Sequence, residues 1–317
     1  MILAVATPSM LNPKGTEARH VAGVWWLMFG IAAVVYLIVA GLIVYAIRKG
    51  RIAAAAAGPD EPASQRFDDG MIAWGGVVVP LLIILVLAVV TVRTTNAVRR
   101  PEANALRIDV AGKRWWWAVT YPSTHFVTAN AIHLPADRPI ELHLSSDNVI
   151  HSFWVPQLAG KVDTIPGQDN VLRFSAHTPG TYEGECAEFC GIQHTHMGFV
   201  VIVQPAGDFD RWLAAHAKPP LEPASELAYE GQVAFNSQPC AGCHTIAATQ
   251  SHGTLGPDLT DIGERPTVGA GAAVNDTDHL TRWITNAPAI KPGALMPKIT
   301  MSSADARAIV AYLESLK

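Results

Sequence analysis

Two long apolar runs dominate the hydropathy pattern of the first hundred residues. Neither Val21–Ile47 nor Met71–Val92 contains a charged residue. A helix rises about 1.5 Å per residue, so each run is long enough to cross a hydrocarbon core about 30 Å thick. Trp25 near the start of the first run and Tyr45 near its end suit interfacial anchoring. The pattern predicts two transmembrane helices, over 21–47 and 71–92, in a membrane hairpin that spans residues 21–100.

The residues that flank these runs leave their orientation open. Lysine and arginine occur on both sides of each run, so the excess of positive charge that marks the cytoplasmic side does not decide it. Residues 1–20 lack the succession of basic, apolar and small residues of a cleavable signal, so we predict none there. Pro80 lies inside the second run, where its missing N–H predicts a kink.

Between residues 101 and 205 the hydrophobic pattern has the two-residue period of β-strands. Leu106–Val110 and Ile140–Leu144 alternate apolar and polar residues, which is typical of half-buried strands. Gly198–Val203 is a continuous apolar run rich in β-branched residues, which predicts a strand buried on both faces. Short strands separated by turn residues indicate a sandwich or a Greek-key barrel.

The last third of the chain is predicted to be a linker followed by a small helical domain. Residues 206–223 form the linker, in which an amphipathic helix over 208–217 precedes a proline-rich spacer. Residues 224–317 form the helical domain. Its last helix has one apolar face, and Gly231 on its first helix would let the two helices approach closely.

Composition indicates a membrane protein and argues against a nucleic-acid partner. Half of the 317 residues are hydrophobic, 16% are charged and the net charge is −4, without the basic excess of nucleic-acid-binding proteins. The four cysteines fall into two close pairs, which indicates metal or cofactor chemistry rather than a disulfide framework.

The first cysteine pair, Cys186 and Cys190, lies in a segment that also contains two histidines and Met197. Thiolate, imidazole and thioether ligands suit copper, and two thiolates can bridge two ions. His151, on a strand-like segment upstream, offers a further imidazole.

Two other interpretations of this segment, a disulfide and a zinc site, use fewer of its donors. A disulfide between the two cysteines would leave the remaining donors unexplained, and a zinc site would not need Met197. From the donors alone, His194 and His196 are both candidate ligands.

The second cysteine pair forms the sequence Cys-Ala-Gly-Cys-His at residues 240–244, the motif for covalent attachment of c-type haem. Two thiols one helical turn apart can each bond a haem vinyl group, and the adjacent imidazole can bind the iron. A redox-active or zinc-binding pair is the alternative. Met296, in Pro292–Pro297, and Met301 both offer a thioether as the second axial ligand.

Over nearly its whole length the chain resembles cytochrome c oxidase subunit II of the caa type. The resemblance rests on the spacing from Cys186 to Met197, the His-Ser-Phe block at 151–153 and the haem motif. It implies a multidomain membrane protein: a two-helix hairpin, a cupredoxin-like Greek-key β-barrel over 101–205, and an all-α class I cytochrome c domain over 224–317.

The resemblance also implies the site residues. The dinuclear copper centre CuA would be bound by His151, Cys186, the Glu188 carbonyl, Cys190, His194 and Met197. Haem c would be bound by Cys240, Cys243, His244 and Met296, with the Pro257 carbonyl orienting the His244 ring. The Glu188 carboxylate would face a magnesium ion shared with subunit I. Trp115 matches the aromatic residue through which electrons enter, and no residue of this chain would itself reduce oxygen.

The function implied by the resemblance is electron input to a proton-pumping terminal oxidase. Electrons would pass from an external donor, such as cytochrome c or a quinol–cytochrome c reductase complex, through haem c and CuA to subunit I. Subunit III would be a further partner. The chain would cross the bacterial inner membrane twice, with both cofactor domains on the periplasmic side.

Two alternatives to this function remain open at this point. One is a CuA-containing nitric oxide reductase subunit, and the other is a membrane-tethered electron carrier. A quinol oxidase subunit is disfavoured because that relative lacks the copper ligands.

Overall fold

The structure is a computed structural model that describes residues 8–56 and 70–317 of the chain. Its backbone separates into two compact units. One is formed by Arg19–Arg100, and the other by Pro101–Lys317 together with residues that precede Arg19. The predictions that fall on residues 1–7 and 57–69, in the N-terminal segment and in the connection between the two apolar runs, lie outside the described residues.

Two long helical segments belong to the first unit. Helix α1 spans Thr16–Ala56, and a π-helical segment over Ile72–Val78 continues into helix α2, Val79–Val98. The predicted span 21–47 is short at both ends, and the span 71–92 ends early. Hydropathy marks only the apolar part of each helix, whereas the helical backbone continues through flanking lysine, arginine and alanine, which are good helix formers. Pro80 lies in the first turn of α2, directly after the π-helical segment, and the kink predicted at this residue stays a prediction.

Both helical segments are long and apolar enough to cross a membrane. None of the residues in their most apolar windows is buried within the chain, which distinguishes them from the core helices of a soluble domain. Tyr36 and Trp74, for example, are largely exposed. Apolar surface of this extent is unfavourable in water, so the two segments indicate membrane anchoring.

Ten strands between residues 106 and 204 form a β-sandwich. They are β1 Leu106–Lys113, β2 Trp116–Tyr121, β3 Phe126–Ala129, β4 Ala131–Pro135, β5 Pro139–Ser146, β6 His151–Trp154, β7 Val162–Thr164, β8 Asn170–Ser175, β9 Gly180–Cys186 and β10 Gly198–Gln204. The two sheets have the strand orders β3-β2-β1-β5-β8 and β4-β10-β9-β6-β7. The pairs β1–β5 and β4–β10 are parallel and the other pairs are antiparallel. The predicted cupredoxin-like fold is confirmed as two packed sheets.

Alternation in the sequence becomes alternation of burial along the strands. Leu106, Ile108 and Val110 of β1 are buried, and the residues between them are more exposed. Trp117 fills the core with its ring centroid 5.5 Å from that of Phe153. Strand β10 differs from its prediction, because burial alternates along it instead of covering both faces. In a two-layer sandwich the outer face of a strand has no third layer to cover it.

Helix α3, Ala206–His216, packs against the sandwich. Its Phe209 is fully buried in the sandwich core, and the Trp212 ring stacks on His133 at a centroid distance of 3.9 Å. The helix predicted within the linker is therefore a structural part of the sandwich domain. The stretch without helix or strand that connects the two domains is confined to residues 217–225.

The C-terminal domain is built from four α-helical segments, a 3-10 turn over Ile262–Glu264 and a short β-hairpin. Its α-helices and strands are named in chain order. They are α4 Glu226–Ser237, the single turn α5 Cys240–Cys243, β11 Thr267–Val268, β12 Ala273–Val274, α6 Thr277–Ile290 and α7 Ser303–Ser315. The close approach predicted at Gly231 is confirmed, since a Cβ there would lie 1.9 Å from the Ala308 carbonyl oxygen. Ser302 caps α7 by accepting a hydrogen bond from the Asp305 N–H at 3.0 Å.

Polar contacts join the sandwich to the C-terminal domain. The buried Thr128 hydroxyl of β3 donates to an Asp261 carboxylate oxygen at 2.6 Å, and that carboxylate is paired with Arg265. At the end of α3, His216 Nε2 lies 3.3 Å from a Glu264 carboxylate oxygen. The two domains therefore share a hydrogen-bonded interface.

Candidate metal and haem centres

The predicted copper ligands converge at one end of the sandwich. His151 is the first residue of β6, Cys186 is the last of β9, and the other donors lie in the loop between β9 and β10. Strand β6 pairs with β9, which brings His151 and Cys186 together across a long sequence separation. The donor atoms of His151, Cys186 and Cys190 lie within 4.8 Å of one another, and all three residues are buried.

Each cysteine sulfur faces the other sulfur and one imidazole. The two Sγ atoms are 3.8 Å apart, Cys186 Sγ is 3.9 Å from His151 Nδ1, and Cys190 Sγ is 3.7 Å from His194 Nδ1. With metal–sulfur bonds of about 2.3 Å and metal–nitrogen bonds of about 2.0 Å, two donors to one ion can lie up to about 4.3 Å apart. Both cysteines are free thiols, so the donor spacing fits metal binding.

Two weaker donors complete the set. Met197 Sδ is 3.9 Å from Cys190 Sγ, and the Glu188 carbonyl oxygen is 3.2 Å from Cys186 Sγ. The Glu188 residue itself is exposed, so its carboxylate is available to a partner. His196, the alternative to His194, is exposed, and its Nδ1 lies 3.5 Å from Thr195 Oγ1. The structure thus brings together the six predicted donors and leaves the His196 ring outside the cluster.

Burial favours the uncharged form of both kinds of donor while no metal is bound. Burial lowers the pKa of His151 to about 4, with smaller contributions from Arg114 and His194, so its imidazole is neutral and can offer a lone pair. Burial and the neighbouring Cys186 raise the pKa of the Cys190 thiol to about 12. A bound metal reverses this preference, because a coordinating thiol loses its proton to the metal charge.

Asn148 is a site residue that sequence reasoning missed. Its side-chain oxygen lies 3.1 Å from His151 Nε2 and also accepts from the Val149 N–H at 2.9 Å. A metal-binding histidine usually donates its second N–H to such a partner, which fixes the ring orientation. The available signal was a polar turn residue three positions before the candidate ligand.

Residues 187–197, which connect β9 to β10 and carry four of the six donors, are called the copper-ligand loop. Trp115 contacts this loop directly. It precedes β2, and its indole N–H donates to the Cys190 carbonyl oxygen at 3.0 Å. The ring also packs over Gly191, where a Cβ would lie 3.0 Å from Trp115 Cζ2. Trp117 of the same block belongs to the core, and Trp116 is partly exposed on the outer face.

The predicted haem attachment residues lie together at the start of the C-terminal domain. Cys240 and Cys243 are free and partly exposed at the two ends of α5, and His244 follows at once. The predicted role of Pro257 is confirmed, since its carbonyl lies 2.7 Å from His244 Nδ1. That contact leaves Nε2 available to an iron ion, and burial lowers the pKa of the imidazole and keeps it neutral.

Two glycines shape the space around this motif. A Cβ on Gly256 would lie 2.4 Å from His244 Cε1, and a Cβ on Gly253 would lie 2.4 Å from the Cys243 carbonyl carbon. The chain can therefore pass close to the imidazole and to the attachment turn only with glycine at both positions. This close fit suits the Cys-x-x-Cys-His segment to covalent haem attachment.

The two candidate axial methionines have different environments. Met301 packs against the hydrophobic core of the C-terminal domain. Met296 stands on the loop between α6 and α7 and is partly exposed. A turn precedes it, in which the Ala294 N–H donates to the Lys291 carbonyl at 2.9 Å and Gly293 has φ of 91°. Met296 therefore remains the predicted ligand.

Comparisons with known proteins agree with this two-centre architecture. Residues 123–204 match the family model for the cytochrome c oxidase subunit II periplasmic domain, and residues 228–317 match the cytochrome c model. Cytochrome c oxidase subunit 2 of Alkalihalophilus pseudofirmus is 32% identical over 314 residues, which cover 97% of this chain and 90% of that protein. The protein of the same name from Bacillus sp. PS3 is 30% identical over 263 residues, covering 76% and 72%.

A solved structure also resembles part of the chain. It is the periplasmic domain of subunit II of the cytochrome oxidase of Bradyrhizobium japonicum, which is 29% identical with a TM-score of 0.35. The match covers 37% of this chain and 95% of that one.

The fold and the two sites define a membrane-anchored copper protein with a fused c-type cytochrome domain. Sequence identity over almost the whole of both chains narrows the class further. The chain belongs to the cytochrome c oxidase subunit II family.

Proposed function

We propose that this chain is the electron-input subunit of a haem–copper terminal oxidase. It takes electrons from an external donor at haem c, passes them to a dinuclear copper centre and delivers them to subunit I, where oxygen is reduced to water and protons are pumped. The observation that carries this proposal is that one chain holds a buried cluster of cysteine and histidine donors and a Cys-x-x-Cys-His turn with an oriented imidazole, with the copper-ligand loop in contact with the C-terminal domain.

The copper pair would be held by six donors already described: His151, Cys186, the Glu188 carbonyl, Cys190, His194 and Met197. When bound, the pair accepts and releases one electron at a time. The protein holds the donors on a loop anchored by β9 and β10, and a rigid support keeps the geometry nearly constant between oxidation states. Two sulfurs, each with its own imidazole, favour two ions over one.

The haem would be attached through Cys240 and Cys243, with His244 and Met296 as axial ligands. Methionine ligation favours the reduced iron and raises its potential, which suits an electron carrier. With His244 and Met296 in both axial positions, this haem would not bind oxygen. Oxygen reduction therefore belongs to the partner subunit.

Trp115 is the proposed entry point for electrons to the copper centre. Its indole is hydrogen-bonded to the Cys190 carbonyl, so the ring is fixed against a ligand residue. Trp115→Phe should keep the copper spectrum and slow reduction of the copper centre by the haem, whereas Trp116→Phe on the outer face should leave that rate unchanged.

Partners follow from the same assignment. Subunit I would receive electrons near the exposed Glu188, whose carboxylate could share a magnesium ion with it, and subunit III would complete the complex. The relative from Alkalihalophilus pseudofirmus is named as a cytochrome c oxidase subunit, so the nitric oxide reductase alternative is not favoured. Covalent haem attachment and copper assembly in this family take place outside the cytoplasm, so both cofactor domains should face the periplasm, with α1 and α2 in the bacterial inner membrane.

Metal and haem analysis of the full chain, purified in detergent, tests the proposal. We expect two copper ions and one haem per chain, and an electron paramagnetic resonance spectrum in which one unpaired electron couples to two copper nuclei. Cys186→Ser should abolish that spectrum while leaving the haem spectrum unchanged. One copper ion per chain, or zinc, would contradict the dinuclear assignment. Copurification with a haem-bearing subunit that consumes oxygen, and not nitric oxide, separates an oxidase from the alternatives.

A further inference from the structure

Lys291 is a buried cation outside both donor sets. It follows directly after α6 and is 4% exposed. Its ammonium donates to the Trp115 carbonyl at 2.9 Å, the His196 carbonyl at 2.6 Å and the Gly269 carbonyl at 2.9 Å. An ammonium has three N–H donors, so these three carbonyls satisfy it completely. Burying a lysine is costly unless it is satisfied in this way, which indicates that the position has a specific role.

The three carbonyls belong to two different domains. Trp115 and His196 both lie in the sandwich domain. Trp115 is the candidate electron-entry residue, and His196 is in the copper-ligand loop. Gly269 lies in the β11–β12 hairpin of the C-terminal domain, the domain to which Lys291 also belongs. A single side chain therefore connects the haem-binding domain to two segments of the copper site.

Neighbouring contacts extend this connection toward both centres. The Gln193 side-chain amide donates to the Pro292 carbonyl, directly after Lys291. The Gly198 N–H donates to the Ala270 carbonyl at 3.0 Å. The Ile192 side chain lies against Gly293, where a Cβ would be 2.3 Å from its Cδ1. The segment that leads to Met296 is thus packed on the loop that contains His194 and Met197.

We propose that Lys291 is a positioning residue that locks the haem domain onto the copper-ligand loop, so that electrons cross between the centres at this contact within one chain. This inference rests on the proposed function. Electron transfer falls steeply with separation, and a tether alone would leave the two centres to meet by diffusion at a millimolar effective concentration. The hydrogen bonds of Lys291 replace that search with a fixed arrangement.

Lys291→Met tests the proposal in the full-length chain loaded with haem and copper. Methionine keeps an unbranched side chain but has no N–H donor. We expect the docked population to fall about tenfold, which corresponds to about 1.4 kcal/mol. Haem-to-copper electron transfer after photoreduction of the haem should slow by a similar factor. Reduction of the haem by an external donor, and the spectra of both centres, should not change.

Two further measurements distinguish this role from a general loss of structure. Hydrogen exchange at the Gly198 amide, which bonds across the interface, should accelerate by about the same factor without any turnover. The copper reduction potential should fall, because a positive charge bound to the His196 carbonyl of the copper-ligand loop has been removed. Lys298→Met is the matched control, since Lys298 is exposed on the same connection, and it should change none of these quantities.

Wild-type electron transfer and wild-type protection of Gly198 in Lys291→Met would overturn the inference. Should that variant fail to bind haem or copper, Gln193→Leu removes the adjacent bond to Pro292 and decides the question. It should slow the same transfer, and an unchanged rate would overturn the inference. Absence of copper or haem from the wild-type chain would instead contradict the proposed function.

Discussion

Asn148 offers the sharpest test of the copper assignment, because it touches a ligand without being one. Its side-chain oxygen accepts from His151 Nε2 at 3.1 Å, and His151 Nδ1 faces Cys186 Sγ. Asn148→Ala removes that acceptor and leaves all six donors in place. The His151 ring would lose the contact that fixes its orientation and tautomer.

The expected loss of copper affinity can be taken from residues that, like Asn148, hydrogen-bond to a metal ligand without binding the metal themselves. Their loss typically weakens metal affinity 10- to 100-fold, which corresponds to about 1.4 to 2.7 kcal/mol. Asn148 also accepts from the Val149 N–H, so part of the effect could come from the loop. Asn148→Asp keeps an acceptor in the same place and should restore most of the affinity. The two variants together separate the acceptor from the loop.

Copper affinity is measured by competition with a chelator on the full chain, with the copper spectrum recorded in parallel. Asn236→Ala is the control, because Asn236 lies on α4 of the C-terminal domain, where its side-chain oxygen accepts from the Ser251 hydroxyl at 3.0 Å. Wild-type affinity in Asn148→Ala would refute the assignment of His151 as a ligand through Nδ1. Equal losses in Asn148→Ala and Asn148→Asp would show that the acceptor itself is unimportant.

Three further predictions concern the C-terminal domain and its interface. Gly231→Ala should lower the melting temperature of the haem domain by at least about 4 °C, because overpacking against Ala308 costs about 1–3 kcal/mol. The assay is a thermal melt followed by haem absorbance, and the control is Gly207→Ala, whose Cβ would meet only the Arg211 side chain at 3.7 Å. Burial alone would lower the pKa of His216, but the contact with Glu264 outweighs burial, and the net effect is a raised pKa. The stability that this contact contributes is therefore fully present below the unfolded pKa of about 6.5. It is lost as the pH rises through the raised pKa of the folded protein. His216→Gln should flatten that part of the stability profile in melts at several pH values. Met296→Leu should remove the methionine–iron absorption band and lower the haem potential, whereas the same change at Met301 should preserve both.

The predicted architecture depended on signals that are local in the sequence. Apolar runs longer than a bilayer is thick predicted the helices, and alternation predicted strands such as β1. The haem motif sits on a single turn, α5, so its geometry follows from helical spacing alone. Helix ends were predicted less well, because residues beyond an apolar run extend a helix without any hydropathic signal.

In the copper-ligand loop, local sequence patterns were not enough to choose between the candidate ligands. The spacing of Cys186, Cys190 and Met197 lies within one loop, but spacing alone did not separate His194 from His196. The structure separates them, because the short helical turn 194–196 aims the His194 ring at Cys190 and leaves the His196 ring exposed. The direction of a side chain in a turn depends on backbone angles that composition does not specify.

By itself, the sequence determined two apolar segments long enough to span a membrane, a strand-rich domain with sulfur and imidazole donors, and a haem-attachment motif. Only the tertiary structure decided that β6 pairs with β9 and joins His151 to Cys186, that Asn148 supports the ligand, and that Lys291 spans two domains. These contacts connect residues far apart in the chain through sheet pairing and domain packing, and neither process leaves a periodic pattern in the residues it brings together.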